Sequence, residues 1–338
     1  MIHLHLAAAD LARIRFAASP LWETVTSIRT LTREGAGVQL HDPWRAQVRG
    51  RLGGVDMTLL SALVRPDGYI PDFLLPSPPR RTTTLGAALG QIRQSDPDAV
   101  AAQLRHLAEH PVAQQGPGRR ARVAIVRDLA DDPRAAIASA VEQLDRYWHT
   151  AIAPVWERVY ALLQGDVAYR LEQLAEGGAE RLLRTLHPLV SFEDDRLRVV
   201  KYYEGHADLS GRGLLLVPCA FAWPDVVVLT AEPSVPTVSY SPRGLGRLWE
   251  RHSGQDGSAL ADVLGATRAT LLAQLDLPMS TTQIAGQLAL SAPTVSMHLR
   301  ALHRAGILAA RRDGRAVLYT RTGLGEQLVA ARSSDSAD

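Results

Sequence analysis

Residues 280–320 read STTQIAGQLALSAPTVSMHLRALHRAGILAARRDGRAVLYT, and this pattern predicts two short helices followed by a small β-hairpin. Ser280 and Gln283 have the spacing of a capping box at the start of the first helix. Ile284 and Leu288 recur at i, i+4 and give that helix one apolar face. Since only a tight turn separates it from the next helical pattern, we expect two helices packed across each other.

The second helix is predicted to begin at Ser291, with Pro293 in the first turn, where a missing backbone N–H costs nothing. Val295, Leu299 and Leu302 form its buried stripe at i, i+4, i+7. The opposite face contains no Asp or Glu. It carries polar and basic side chains and one methionine: Thr294, Ser296, Met297, Arg300, His303 and Arg304.

A basic hairpin follows the helix pair. Gly306 ends the second helix, and residues 307–312 and 315–320 flank Asp313-Gly314, the two-residue signal of a type I′ turn. The basic residues that cluster at its tip are Arg311, Arg312 and Arg315. Helix, turn, helix and basic hairpin in this order predict a winged helix-turn-helix that docks on DNA.

Some helix pairs with a hairpin bind other proteins instead. A winged-helix protein-docking module without DNA binding is therefore the alternative interpretation. The basic hairpin tip and the acid-free face of the second helix favour a phosphate-lined groove, because both properties complement the charge of DNA.

Residues 291–308, SAPTVSMHLRALHRAGIL, resemble the recognition-helix segment of arsenic-repressor-like (ArsR-type) bacterial regulators. That family's pattern is roughly S-x-x-T-V-S-x-H-L-x-x-L-x-x-A-G-L-V. The matching positions are Ser291, Thr294, Val295, Ser296, His298, Leu299, Leu302, Ala305 and Gly306. The resemblance covers roughly residues 258–330, and RRDGRAVLY is similar to the family's hairpin. It implies a cytoplasmic, homodimeric transcription regulator, usually a repressor released by a ligand.

The expected DNA contacts lie on the second helix and the hairpin. Base edges and flanking phosphates are assigned to the N-terminal half of the helix: Ser291, Pro293, Thr294, Ser296, Met297 and Arg300. His298 matches the family's histidine and is a candidate for a contact to the DNA backbone. Phosphate or minor-groove contacts are assigned to Arg304, Arg311, Arg312 and Arg315. A dimer places two such helices about 34 Å apart, which matches a palindromic operator in double-stranded DNA.

One departure from the family concerns metal sensing. Its metal sensors ligate through thiolates, often from a C-x-C sequence on the first helix of the pair. The matching stretch, residues 277–285, contains no cysteine, and Cys219 is the sole cysteine of the chain. A thiolate site for a soft metal therefore cannot form within one chain. We expect no metal and no cofactor, and a signal of another kind, such as a small-molecule effector.

Length and composition fit a soluble protein. The chain has 338 residues, of which 46% are hydrophobic and 21% charged, and a formal net charge of +2. Any positive patch must therefore be local. No apolar run reaches the roughly 18 residues of a membrane span, and the N-terminus has no signal-peptide pattern. A single cysteine without an export signal indicates a reducing cytoplasm.

We expect an α+β fold with two domains, since about 100–200 residues per domain is usual. A mainly helical N-terminal domain with a small β-sheet is assigned to residues 1–253, and the winged helix-turn-helix to residues 258–332. The Gly-containing residues 254–257 are the expected hinge. Helices are predicted from Asp10 to about Thr32 and at residues 44–63. Longer helices are predicted at residues 134–164, with a kink near Pro154, and at residues 166–186. These long helices suit a sensor and dimerisation domain as well as a simple scaffold.

Between about residues 191 and 240 the pattern becomes extended. The candidate strands are residues 197–203, 213–217, 226–230 and 237–240. Most aromatic residues of this region fall in or near them: Tyr202, Tyr203, Phe221, Trp223 and Tyr240. Such residues wall a small-molecule pocket in some proteins and form plain core in others. The sequence does not identify a ligand.

Catalytic motifs are weak. Residues 106–110, HLAEH, match the inverted zinc-protease pattern H-x-x-E-H, but Pro111 breaks the helix that should hold both imidazoles. His3 and His5 share one face of a predicted strand without a third ligand nearby. The chain contains no nucleophile elbow, phosphate loop or dinucleotide-binding fingerprint. A metalloenzyme is thus a third hypothesis, and we expect the protein not to be an enzyme.

Overall fold

The computed structural model describes residues 1–33, 36–116, 118–201, 203–232, 234–249, 259–275, 278–288, 290–313 and 316–334. We call residues 1–249 the body and residues 259–334 the head. The predicted hinge at residues 254–257 lies outside the described residues, so the domain boundary stays a prediction.

Helices make up most of both parts. Those of the body are α1 (Ala8–Leu11), α2 (Pro20–Thr32), α3 (Asp42–Arg51), α4 (Thr58–Leu63), α5 (Leu85–Arg93), α6 (Pro97–Glu109), α7 (Arg119–Asp131), α8 (Pro133–Tyr147) and α9 (Trp156–Arg184). Those of the head are α10 (Ala259–Leu264), α11 (Ala266–Gln274), α12 (Thr281–Leu288), α13 (Ala292–Arg304) and α14 (Gly323–Ser334).

The strands of the body are β1 (Ile2–His5), β2 (Arg15–Phe16), β3 (Val190–Glu193), β4 (Arg196–Val199), β5 (Gly205–Asp208), β6 (Leu215–Pro218), β7 (Val227–Leu229) and β8 (Thr237–Tyr240). They form two sheets, with the orders β3-β4-β1-β5 and β2-β6-β8-β7. The head adds β9 (Met279–Ser280), β10 (Leu308–Asp313) and β11 (Ala316–Arg321), in the order β10-β11-β9.

The N-terminal strand β1 lies inside a sheet whose other strands come from residues 190–208. It pairs antiparallel with β4, where Leu4 is opposite Leu197, and parallel with β5. Leu4 and Leu197 are fully buried in a core cluster shared by both sheets. Both sheets therefore require the first residues of the chain as well as the segment after α9.

The predicted α+β class with a winged helix-turn-helix at the C-terminus is confirmed, but several elements of the body differ from the prediction. The body has two sheets rather than one. The helix predicted from Asp10 to about Thr32 is wrong at its start, because Arg15–Phe16 pairs with β6 as a strand. The helix predicted at residues 44–63 is interrupted at residues 52–57, which include Gly53 and Gly54, as expected of residues that weaken helices.

The long helical segment bends where proline interrupts it. The sequence predicts a kink near Pro154, and the chain there passes through a π-helical turn (Trp148–Ile152) and a short 3-10 turn before α9 begins. Proline causes such a break because it lacks a backbone N–H and its ring crowds the preceding turn. A separate helix starting at Asp166 is wrong, since α9 continues through that residue and departs from helical geometry only at Gly178.

Helix α2 runs through the centre of the body. Ser19 caps it by accepting a hydrogen bond from the Trp22 N–H at 3.3 Å. All its residues except the last two are buried, although the sequence PLWETVTSIRTLT is rich in polar residues. Thr24 and Thr26 are satisfied locally, because their hydroxyls donate to the carbonyl four residues earlier at 2.6 and 2.7 Å. Such bonds allow polar side chains inside a core.

A buried carboxylate joins α2 to the turn after β6. Glu23 accepts hydrogen bonds from the backbone N–H groups of Ala220 at 2.7 Å and Phe221 at 3.1 Å. The Cys219 thiol lies 3.1 Å from the same carboxyl group. Burial, the largest cause, raises the pKa of Glu23 to about 7, although these bonds oppose the shift. Burial also raises the pKa of Cys219, which keeps this cysteine a neutral thiol.

The head packs directly on the body. The segment after β8 forms a short 3-10 turn (Leu245–Arg247) against α11 and α12. A Cβ atom at Gly246 would lie 2.5 Å from the Leu288 side chain, so a larger residue here would force this buried side chain to move. Leu245 and Leu248 are buried in a cluster that includes residues of both parts. The apolar core is therefore continuous from body to head.

None of the helices formed by the described residues has the length and apolar character needed to cross a lipid bilayer.

We expect Glu23→Gln to remove a pH-dependent loss of stability. The raised pKa means that Glu23 stabilises the fold fully below about pH 4.5 and loses this contribution as the pH rises through about 7. The shift corresponds to an effect on the order of 3 kcal/mol. In urea denaturation, the free energy of unfolding of wild type should fall between pH 5 and pH 8 by more than that of Glu23→Gln. Glu172→Gln, an exposed change in α9, is the control. An unchanged difference between wild type and Glu23→Gln at the two pH values contradicts this expectation.

Candidate nucleic-acid interface

The first helix of the predicted pair, α12, begins with the capping box expected from the sequence. The backbone N–H of Ser280 donates to Gln283 Oε1 at 2.8 Å, and the N–H of Gln283 donates to Ser280 Oγ at 3.3 Å. Ile284 and Leu288 are buried against α13 and the body. The reciprocal bonds satisfy two donors that the helix leaves open at its N-terminus, so α12 begins at a defined residue.

Helix α13 also starts and ends as predicted. Ser291 Oγ accepts a hydrogen bond from the Thr294 N–H at 3.3 Å, and Pro293 lies in the first turn. The predicted stripe is confirmed, because Val295, Leu299 and Leu302 are all buried. Past the end of the helix, Gly306 has a φ of +71°, the left-handed conformation that ends many helices. These features fix which face of α13 is exposed.

The exposed face of α13 presents the side chains assigned to DNA contacts. The side chains of Ser291, Pro293, Met297, Arg300 and Arg304 are exposed, whereas those of Thr294, Ser296 and His298 are half-buried. Met297 is an apolar side chain with 56% of its surface exposed. The face therefore offers hydroxyls, guanidinium groups and one apolar contact to a partner.

Three polar side chains of α13 have partners or positions that the sequence does not indicate. Arg300 Nε donates to the Ser296 carbonyl at 3.2 Å, so the guanidinium group lies along its own helix. His303 Nδ1 lies 2.9 Å from the Leu308 carbonyl and joins the helix to the first hairpin strand. His298 Nδ1 is buried and has no hydrogen-bond partner among the described residues. His298 is thus partly turned inward.

The hairpin forms the wing. Strands β10 and β11 pair antiparallel, with Arg311 opposite Leu318 and Arg312 opposite Val317. Since successive side chains of a strand point to opposite faces, Arg311 and Arg312 project on different sides of the wing. Both are exposed. Arg315 lies outside the described residues, as does Gly314 of the predicted turn.

A buried arginine holds the base of the wing. Arg321, at the end of β11, has only 1% of its side chain exposed and pairs with Glu326 of α14 at 3.0 Å. Its guanidinium group also donates to the carbonyl of Leu272 at 3.2 Å, at the end of α11. A sequence reading alone does not separate this arginine from the exposed ones, because its role depends on contacts with α11 and α14.

Comparison with known families supports the geometry. Residues 260–310 match the family model described as bacterial regulatory protein, arsR family. The head carries an ArsR-family helix-turn-helix. The resemblance inferred from residues 291–308 is thereby confirmed. Residues 97–244 of the body match a family of unknown function (DUF5937). No curated protein and no solved structure matches the chain.

The residues considered for metal binding lie apart from the ArsR-type head. Cys219 is buried in the body. Helix α6 ends at Glu109, before His110, and the rings of His106 and His110 are 6.0 Å apart. His3 stacks on His206 at 4.9 Å. Within the described part of the chain, no three His, Cys, Asp or Glu side chains are arranged to hold a metal ion.

The aromatic residues expected near the strands mostly belong to the core. Phe221, Trp223 and Tyr240 are buried, and Tyr202 lies outside the described residues. Tyr203 alone among the described ones lines a cleft of about 780 Å³ on the body, together with Lys201 and Asp225. A volume in this range is usual for small-molecule sites. The aromatic residues therefore do not wall a pocket as a group.

Two substitutions of Ser291 separate its capping role from a role in DNA contact. Ser291→Ala removes the cap and should lower the free energy of unfolding of the ArsR-type head by about 1 kcal/mol. Ser291→Asp keeps a capping oxygen and should retain wild-type stability, but it adds a negative charge to the exposed face and should weaken DNA binding. Thermal denaturation measures the first effect, and fluorescence anisotropy with duplex DNA measures the second. Equal stability of both variants would count against the cap.

Proposed function

We propose that this protein is a sequence-specific transcription regulator that binds an operator in double-stranded DNA and acts as a repressor in the cytoplasm. The observation that carries the proposal is the exposed face of α13, which contains hydrogen-bonding and basic side chains and no acid. An α-helix fits the major groove, where such side chains distinguish base pairs. The net charge of only +2 means that this local arrangement, rather than overall charge, supplies the attraction.

In this proposal, the N-terminal half of α13 reads the DNA sequence. Met297 and Arg300 contact base edges, with Arg300 suited to guanine. Ser291, Pro293, Thr294 and Ser296 lie at the groove edge, where base and phosphate contacts meet. Phosphate or minor-groove contacts come from His298, Arg304 and the wing residues Arg311, Arg312 and Arg315. His298 requires a turn outward, because its Nδ1 is buried.

The body supplies the signal. We assign it a sensor role with no catalytic activity, because a repressor needs a domain whose state changes the affinity of its DNA-binding head. The cleft of about 780 Å³ supports this role. So does the continuous core between body and head, since a change in one part can then reach the other.

A homodimer completes the proposal. Helix α10 packs on α14, and the two helices expose Val263 at 79% and Leu324 at 48% of their surfaces. Large exposed apolar side chains on neighbouring helices favour contact with a second copy. Two copies related by a two-fold axis present their α13 helices to successive major grooves about 34 Å apart, which requires a palindromic operator.

The DNA-binding role predicts different effects at two kinds of arginine. Arg300→Ala should reduce discrimination at one base pair by about 1–3 kcal/mol, because a base-edge contact is lost. Arg311→Ala and Arg315→Ala should weaken binding at all sequences and lower the salt slope by about one each. Salt titrations with DNA from the gene's own promoter region and with mutated operators measure both effects.

Arg134→Ala, an exposed arginine on α8, is the control and should bind like wild type. If the Arg300 and wing variants also bind operator DNA like wild type, the proposal is wrong. If wild type gives no mobility shift at low salt, the head is a protein-docking module instead. The exposed Met297 is the feature that would then mark the docking surface.

The dimer predicts that charge at the α10–α14 surface separates the copies. Val263→Glu combined with Leu324→Glu should convert a dimer into a monomer, because two carboxylates would be buried without partners. Light scattering coupled to size-exclusion chromatography measures the mass. Val317→Glu changes an equally apolar, exposed residue of the wing and should leave the dimer intact. A monomeric wild type, or a dimeric double variant, contradicts this surface.

A further inference from the structure

A cavity of about 240 Å³ lies where the head meets the body. Its body wall includes Arg170 and Arg184 of α9, His187 of the turn before β3, and Arg243 after β8. Its head wall includes Gly286 and Gln287 of α12. The volume lies just below the roughly 300–1,000 Å³ of small-molecule pockets. A metabolite-sized molecule therefore fits between the two parts.

The cavity wall is positively charged. It contains three arginines, and none of the described residues that line it is Asp or Glu. Arg170 and Arg184 pair with Asp166 at 3.6 Å and Glu180 at 3.0 Å, two carboxylates that do not line the cavity.

Arg243 connects the body to the head. Its guanidinium group stacks on the Tyr169 ring at 3.6 Å, and its Nε donates to the Gly286 carbonyl at 3.0 Å. No described carboxylate forms an ion pair with Arg243. One positive charge at the wall of the cavity thus lacks a carboxylate partner within the described chain.

Two buried residues that line the cavity each have an enclosed polar atom without a partner in the described chain. His187 has 2% of its surface exposed, and its Nδ1 accepts a hydrogen bond from the Leu189 N–H at 3.2 Å. Burial lowers the pKa of His187 to about 3, so the ring is neutral and its Nε2 carries the proton. This N–H has no acceptor among the described residues.

Gln287 has an unpaired acceptor, whereas His187 has an unpaired donor. Its Nε2 donates to Ser241 Oγ at 3.2 Å, whereas its Oε1 is buried without a donor in the described chain. Buried polar atoms are rarely left unpaired in folded proteins. Both atoms are enclosed by protein, so neither is open to the cavity, and Arg243 remains the polar group of the wall without a carboxylate partner in the described chain.

We propose that this cavity binds a small oxyanion, either a carboxylate or a phosphate, and that its occupancy changes the DNA affinity of the head. The oxyanion pairs with the guanidinium group of Arg243. The second half of the inference rests on the proposed function, whereas the binding site itself does not.

The position of the cavity explains how anion binding changes the DNA affinity of the head in this proposal. Its wall comes from both parts, so the affinity for the anion depends on how α12 sits against the body. Helix α12 packs on α13, which carries the proposed DNA contacts. A ligand shifts an equilibrium only through different affinities for its two states, and a shared wall provides that difference. The larger cleft, lined by body residues alone, does not.

Calorimetric titration of the full-length protein tests the site. The probes are inorganic phosphate and L-malate, with chloride at the same ionic strength as the reference. We expect at least one probe to bind with a dissociation constant at or below the millimolar range. Arg243→Gln should weaken this binding about tenfold, because a charge-assisted hydrogen bond is lost. Arg158→Gln removes an arginine that donates to the Leu248 carbonyl outside the cavity, and it should bind the probe like wild type.

A second pair of variants guards against a folding defect at Arg243. Gly286 lines the cavity, and a Cβ atom added there meets no atom within 4 Å. Gly286→Leu should therefore fold and block the probe, whereas Gly286→Ala should fold and leave most of the space open. Absence of binding by both probes, or unchanged binding by both Arg243→Gln and Gly286→Leu, overturns the site. Binding of phosphate alone, unaffected by these variants, indicates an adventitious ion only.

Anisotropy titrations with promoter DNA test the coupling at constant ionic strength. A saturating probe should change the DNA affinity of wild type and Gly286→Ala about fivefold or more, but not that of Gly286→Leu. If the probe binds and leaves DNA affinity unchanged, the regulatory half is wrong. If Arg243→Gln weakens DNA binding while neither probe binds, a DNA phosphate occupies the cavity instead. If wild type binds the probe but no DNA, the proposed function fails and the anion site stands.

Discussion

The close approach at Gly246 determines how the head is placed on the body. The turn around this residue lies between Leu288 of α12 and Gln274 of α11, and a Cβ atom would clash with both, at 2.5 and 2.6 Å. On the body side, Trp249 Nε1 donates to His41 Nδ1 at 3.1 Å. With both ends of this segment fixed, α12 faces the body and α13 faces solvent. The proposed DNA surface and the cavity between Arg243 and Gly286 both depend on that arrangement.

The head could be predicted from the sequence because its signals are local. The caps at Ser280 and Ser291, the apolar stripe of α13 and the glycine after it all act within a few residues. The body lacks such signals. Helix α2 is half polar in sequence. Its burial requires hydroxyl groups that bond to carbonyls of the same helix. It also requires the bond between Glu23 and the Ala220 N–H, almost two hundred residues away. The pairing of β1 with β4 and β5 is equally non-local.

The same division applies to the functional residues. The exposed residues of α13 follow from helical periodicity, because the opposite stripe must be buried. Periodicity does not show that His303 bonds to the wing or that His298 is partly buried. The residues of the cavity between head and body cannot be found from sequence patterns, for a stronger reason. Arg243 and His187 belong to no motif, and they meet α12 only after the strands and the turn at Gly246 have formed.

In the proposed regulation, charge at the junction is the means by which the body acts on the head. Arginines that share a wall repel one another, and burial of the Arg170 guanidinium group adds to that cost. Arg243 offsets part of the cost by stacking on Tyr169 and by bonding to the Gly286 carbonyl, which lies on the other side of the junction. The stability of the junction therefore depends on the charge of whatever fills the cavity. Since α12 both lines that cavity and supports α13, the proposed regulation uses the contact that also holds the two parts together.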